Sequence, residues 1–290
     1  MKGSVMVIDF HTHTFPDKIA SRVIESLSLK SRTKAFSDSS VQGLITCMQN
    51  GGIDYAVNLP VVTRPDQTVS INHSLVDRKE ELFSKGIITF GGMHPDYEDY
   101  KQELMFLADH GIRGIKLHPA YQGRNIDDPY YLRIIECASD LGLIVVTHAG
   151  IDIGIYDHNY ASVEQLQNVI RLVHPPKFVL AHMGGWACWD VFEKELAGAP
   201  VYIDTAFSIG PVAPRPDLDP PYLSQNLTVE DAVRIMRRHG TEKVLFATDS
   251  PWSEMGEYVK MIATSSLNPA EQSMIFSGNA KKLLGMEDLI

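Results

Sequence analysis

The chain has 290 residues, 44% of them hydrophobic and 21% charged, the balance expected of a soluble globular protein. A formal net charge of −10, with no basic run longer than a few residues, argues against nucleic acid as a partner. No apolar stretch approaches the ~18 residues of a membrane span, and the opening MKGSVMVIDFHTH is too short and too polar for a secretory leader. Cys47, Cys137 and Cys188 lack C-x-x-C spacing, so reduced thiols in a cytoplasmic protein are expected.

The first predicted strand, VMVIDF (5–10), runs directly into HTHTF. Side chains alternate faces along a strand, so Asp9, His11 and His13 share one face. Two imidazoles aimed at one point suggest a shared metal ion; taken alone, the pair also reads as two surface histidines on a loop. Further strands are expected at 55–62, 87–93, 112–118, 143–149, 178–183, 201–207 and 244–250. Between them the apolar spacing predicts helices over 17–30 with 40–50, 67–84, 97–110, 130–141, 162–173, 187–197, 228–239 and 255–264. Asp17, Ser162 and Thr228 read as helix caps, and Gly111, Gly142 and Gly240 as helix ends.

Strands that are near-continuous apolar runs, alternating with helices, imply a parallel sheet covered by helices. Eight such units predict a (β/α)8 TIM barrel, one domain over residues 1–290. The alternative, a doubly wound sheet, lacks a G-x-G-x-x-G after its first strand. The proline-rich stretch SIGPVAPRPDLDPPYLSQN (208–226), after strand seven, is expected to form a loop over the barrel mouth.

Barrel active sites are assembled at the C-terminal ends of the strands. His11 and His13 close strand one, Lys116 and His118 strand four, His148 strand five, His182 strand six and Asp249 strand eight. A buried strand ending in such a group is costly unless the group is paired or bound to metal. His73, His94, His110, His158, His174 and His239 fall elsewhere, and most are expected to be solvated. Loops after strands two, four, six, seven and eight carry Arg64, Tyr121, Arg124, Trp186, Arg215 and Trp252. Arginines there suit a carboxylate and tryptophans an apolar pocket wall, although each alone is also an ordinary loop residue.

HTH near the start, VVTHAG around His148, LAHMGG around His182 and FATDSPW around Asp249 resemble the amidohydrolase superfamily. Within it the chain looks most like the amidohydrolase-2 branch, which includes the aminocarboxymuconate-semialdehyde decarboxylase-like enzymes. The likeness extends to SGNAKKLLG (277–285), similar to the family's C-terminal helix. It implies one divalent metal, zinc foremost and manganese second, held by His11, His13, His148 and Asp249, with His182 as a nearby acid/base. The other reading of His182 is as a further ligand. Asp249 would also take a proton from the reacting water. Asp9 would either hold a ligand imidazole from behind or be satisfied by backbone groups.

Other branches of the superfamily carboxylate a strand-four lysine and bridge two metals with it. Lys116 therefore leaves open a two-metal site with His148 and His182 on the second ion. In the favoured one-metal reading Lys116 and His118 face the substrate, with Arg64 and Trp252 contributing from the loops. The expected activity is hydrolysis of a small amide, ester or lactone by metal-activated water. The alternative is non-oxidative decarboxylation of a small unsaturated or aromatic acid, and a third reading is a barrel that binds without turnover. The resemblance also implies a homodimer.

Overall fold

The computed structural model describes residues 5–288; Met1–Ser4, part of the opening stretch that reads as too polar for a leader, and the last two residues lie outside it. Every predicted run contains a strand: β1 Ile8–Thr12, β2 Tyr55–Asn58, β3 Ile87–Thr89, β4 Gly91–Gly92, β5 Gly114–Leu117, β6 Ile144–Thr147, β7 Phe178–Leu180, β8 Tyr202–Asp204 and β9 Val244–Leu245. β1 starts later than predicted and runs two residues past its predicted end; the other strands stop short, because their last residues leave the ladder to become the loops that carry the polar groups. The third run is split at Phe90 into β3 and β4.

Helices occupy the predicted intervals. Ser162 caps Val163–Val173 in a reciprocal box: its hydroxyl accepts from the Gln165 N–H, while the Gln165 side chain accepts from the Ser162 N–H. Thr228 likewise caps Val229–His239. Asp17 is not a cap. It is the first helical residue, behind Pro16, where its charge favours the positive end of the helix dipole instead. No described helix is long and apolar enough to cross a membrane. Cys47, Cys137 and Cys188 are free, half-buried thiols that burial pushes up in pKa.

The described chain forms two compact units, one comprising the segments up to Asn58 and from Asp204 onward, the other Leu59–Ile203. In the first, β1 pairs in parallel with β2. On its other side β1 meets the segment after β9, through Phe10 N–H to Phe246 O (2.8 Å), Asp249 N–H to His11 O (2.9 Å) and His13 N–H to Ser250 O (2.9 Å). The residue after β8 joins the same array, Thr205 N–H to Leu245 O at 3.1 Å. Ile8, Phe10, Asp9 and His11 are all buried, so β1 is covered on both faces.

The second unit is a run of parallel neighbours, β4 to β5 to β6 to β7 to β8. Its core is built from Ile115, Leu117, Val145, Val146, Phe178 and Val179, all fully buried. The proline-rich stretch belongs to the first unit and is tied down along its length. Ile209 bridges Leu227 and Pro211 bridges Gln225, while Thr33 bridges Pro214. Four of the six histidines placed outside strand ends, His73, His110, His158 and His174, are exposed; His94 and His239 are buried.

Candidate active site

In the first unit β1 delivers His11 and His13, and the chain after β9 delivers Asp249. Their Nε2 atoms lie 3.6 Å and 3.0 Å from Asp249 Oδ1. The rings meet edge to face with centroids 5.0 Å apart. Asp249 holds a left-handed backbone conformation, φ 63°, rare for a residue with a Cβ and concentrated at functional positions. Behind His11, Asp204 at the end of β8 places Oδ2 2.8 Å from Nδ1; both residues are fully buried.

Asp9 shares the predicted face but does something different. Its carboxyl accepts from the N–H of His11 (3.1 Å), the N–H of Thr248 (3.0 Å) and the hydroxyl of Thr248 (2.5 Å). It therefore ties β1 to the segment carrying Asp249, and the contact with the His11 ring falls to Asp204. Complete burial, which those hydrogen bonds only partly offset, pushes the Asp9 carboxyl up to about 7.

The second unit gathers Lys116 on β5, His118 just after it, His148 after β6 and His182 after β7, all buried. His118 and His148 stack with centroids 4.5 Å apart and planes 17° apart, and His148 lies 4.7 Å from His182. Asp152, in the loop after His148, approaches His118 Nε2 at 3.7 Å. His182 and Met183 both have positive φ, 61° and 56°. Two glycines make the local packing achievable. A Cβ on Gly150 would lie 2.3 Å from the Trp186 nitrogen, and one on Gly184 would lie 2.2 Å from the Phe192 ring.

The loop residues divide. The exposed Arg64 guanidinium bonds both oxygens of Asp66 at 3.1 Å. Arg124 grips Asp96 at 2.7 and 2.8 Å and lies over the Tyr130 ring. Arg215 joins Glu25 at 2.7 Å and Asp217 at 2.8 Å, pinning the proline-rich stretch to the helix Asp17–Ser31. All three arginines sit in carboxylate pairs on the chain itself. Tyr121 stands edge-on to His118, Trp186 is buried, and Trp252 is half-buried with its backbone N–H donating to the Asp249 carbonyl at 2.8 Å.

Residues 8–286 match the family described as amidohydrolase. The chain belongs to that family. No functionally curated protein matches the sequence. Among solved structures, the 5-carboxyvanillate decarboxylase of Sphingomonas paucimobilis is similar over 97% of this chain and 99% of its own, at 16% identity and a TM-score of 0.67. An uncharacterised TIM-barrel protein of Bordetella bronchiseptica covers the same shares at 16% identity and a TM-score of 0.71. A dihydroxybenzoic acid decarboxylase of Polaromonas, with bound manganese and 2-nitroresorcinol, covers 97% of each chain at 12% identity and a TM-score of 0.69. These likenesses show the fold, and this amidohydrolase is a TIM barrel.

Of the four residues expected to hold the metal, the structure groups His11, His13 and Asp249, and places His148 in the second unit's cluster. The donor set suits a divalent ion: two imidazoles and a carboxylate, with ligand atoms all within 4.8 Å of one another. In the second unit His118, His148 and Asp152 bring their ligand atoms equally close together. Sequence reasoning misses Asp204 because the predicted strand 201–207 runs through to Phe207 and leaves Asp204 mid-strand. The strand ends at Asp204, so the strand-end rule that finds the histidines applies to it as well.

Proposed function

We propose that this amidohydrolase is a metal-dependent, non-oxidative decarboxylase of a small aromatic or unsaturated carboxylic acid. The observation that carries the reading is the His11–His13–Asp249 group, with His11 and Asp249 buried, His13 half-buried and Asp204 behind His11. The decarboxylases that share its fold favour loss of CO2 over hydrolysis. His11, His13 and Asp249 would hold the ion, and the family resemblance adds His148. When bound, the ion supplies positive charge that engages substrate oxygens and steadies negative charge as it develops.

The other roles follow from the side chains. Lys116, an ammonium carried by a buried strand, and His118 would bind an anionic carboxylate or phenolate. His182, an imidazole able to carry a proton near neutral pH, would deliver that proton to the carbon bearing the carboxylate. The electron pair of the breaking C–C bond then returns to the unsaturated system as CO2 leaves. Hydrolysis of an amide, ester or lactone would use the same groups on a different substrate, so one assay must read both outcomes.

The test loads the protein with manganese or zinc and supplies hydroxybenzoates, carboxyvanillate-type acids and unsaturated dicarboxylic acids, with simple amides, esters and lactones alongside. The expected result is CO2 release with one solvent deuterium on the former carboxyl carbon in D2O. Turnover of amides, esters or lactones without CO2 release would overturn the reading in favour of a hydrolase.

A further inference from the structure

We infer that Asp204 is a positioning residue for the metal centre: it holds His11 as the Nδ1–H tautomer, so that Nε2 is the nitrogen offered to the ion. The inference rests on the reading of His11, His13 and Asp249 as ligands, not on which reaction the ion serves.

Three observations carry it. The Asp204 carboxylate oxygen lies 2.8 Å from His11 Nδ1 with both side chains shielded from water, which is hydrogen-bonding distance. A carboxylate only accepts, so the ring nitrogen facing it must be the donor, and in a neutral imidazole the opposite nitrogen then carries the lone pair. That opposite nitrogen, Nε2, is the one directed at Asp249, 3.6 Å away. The carboxylate cannot swing aside easily, because its other oxygen accepts from the Ala206 N–H at 3.1 Å. Orientation by a carboxylate behind a ligand imidazole is worth 10–100-fold in metal affinity where it has been tested in metal sites generally.

Asp9 is the built-in control. It is equally buried and only two residues from His11, yet it bonds the backbone N–H of His11 rather than the ring. Loss of Asp204 should therefore loosen the metal in a way that loss of Asp9 does not.

The experiment measures Zn²⁺ and Mn²⁺ affinity of the full chain by competition with a chromophoric chelator, for wild type, Asp204→Asn, Asp204→Ala, Asp9→Asn and His11→Ala. Two readouts do not depend on activity. One is the visible spectrum of the Co²⁺-loaded protein; the other is the ring ¹⁵N shifts of His11 in the metal-free wild type, assigned by their loss in His11→Ala. The expected result is a 10–100-fold weaker affinity for Asp204→Ala, a smaller loss for Asp204→Asn, whose amide oxygen still accepts, and near-wild-type affinity for Asp9→Asn. The metal-free wild type should show Nδ1 protonated. Wild-type affinity and Co²⁺ spectrum in folded Asp204→Ala, or an Nε2–H tautomer in the wild type, overturns the positioning role. The tautomer decides even if both Asp204 variants fail to fold. A wild type that binds no metal, or a His11→Ala variant that binds as well as wild type, overturns the ligand reading itself and the inference with it.

Discussion

The two histidine groups are built from opposite proportions of acid and base. In the first unit two imidazoles sit among three buried aspartates, with contacts at 2.8 and 3.0 Å. In the second, three imidazoles and Lys116 share the interior with Asp152, which approaches His118 only to 3.7 Å. Burial is expensive for any charge, and the two groups meet that cost with different complements. An acid-rich pocket is suited to neutralising a cation, and a base-rich one to receiving an anion or giving up a proton. The same residue type, histidine, thus sits in opposite electrostatic surroundings in the two groups.

Substitutions in the two groups should separate these roles. The largest effect is expected from His13→Ala and Asp249→Asn, each of which alters a proposed ligand: metal affinity falls at least ~10²-fold, and turnover falls with it. Chelator competition and steady-state kinetics check both. His182→Asn should instead keep the metal and lose about 10²–10⁴-fold in kcat, the range for removing a general acid. If the variant comes out of purification stripped of metal, His182 belongs with the ligands and the contrast between the groups collapses. A milder change is expected from Lys116→Met: unaltered metal affinity, and a kcat/KM for carboxylate substrates reduced about 10-fold or more, the scale of one lost hydrogen bond to a charged group. A carboxylated lysine bridging two ions would show itself here as loss of metal.

Much of this arrangement is legible in the amino-acid sequence. The strand and helix intervals follow from apolar runs and 3.6-residue spacing, and the caps Ser162 and Thr228 from their chemistry. The alternation of faces along IDFHTH puts His11 and His13 together. The pairing partners are not legible, because they are set by register between segments far apart in sequence. Nothing local says that His11 meets Asp204, 193 residues away, or that Asp9 meets Thr248, 239 away. The partners of the loop arginines are hidden for a related reason. A guanidinium on a barrel loop suits a substrate carboxylate, but Asp66, two residues from Arg64, and Asp96, reached by Arg124 across the fold, supply one from the chain itself. Asp152 escapes notice because it lies beyond the strand, in the turn IDIG, where the strand-end rule does not look.

The smallest effect separates the two aspartates within the first unit. Asp9 is neutral over a wider range than an ordinary carboxyl, since burial lifts it from 3.8 to about 7. In metal-free protein the folded state therefore keeps a proton between about pH 4 and pH 7 that the unfolded chain has already released. Stability attributable to Asp9 is fully present below pH 4 and falls as pH rises through 7, by on the order of a few kcal/mol. Asp9→Asn cannot ionise, and its amide still reaches Thr248, whose hydroxyl is able to accept as well as donate. The stability of Asp9→Asn minus that of wild type, from urea unfolding at pH 5, 6, 7 and 8 in the presence of a chelator, should grow steadily with pH and level off near 8. Taking the difference cancels every other titrating group the two proteins share. A gap that stays flat across that range would mean that Asp9 is ionised in the fold, held by Thr248 and the His11 N–H strongly enough to outweigh its burial.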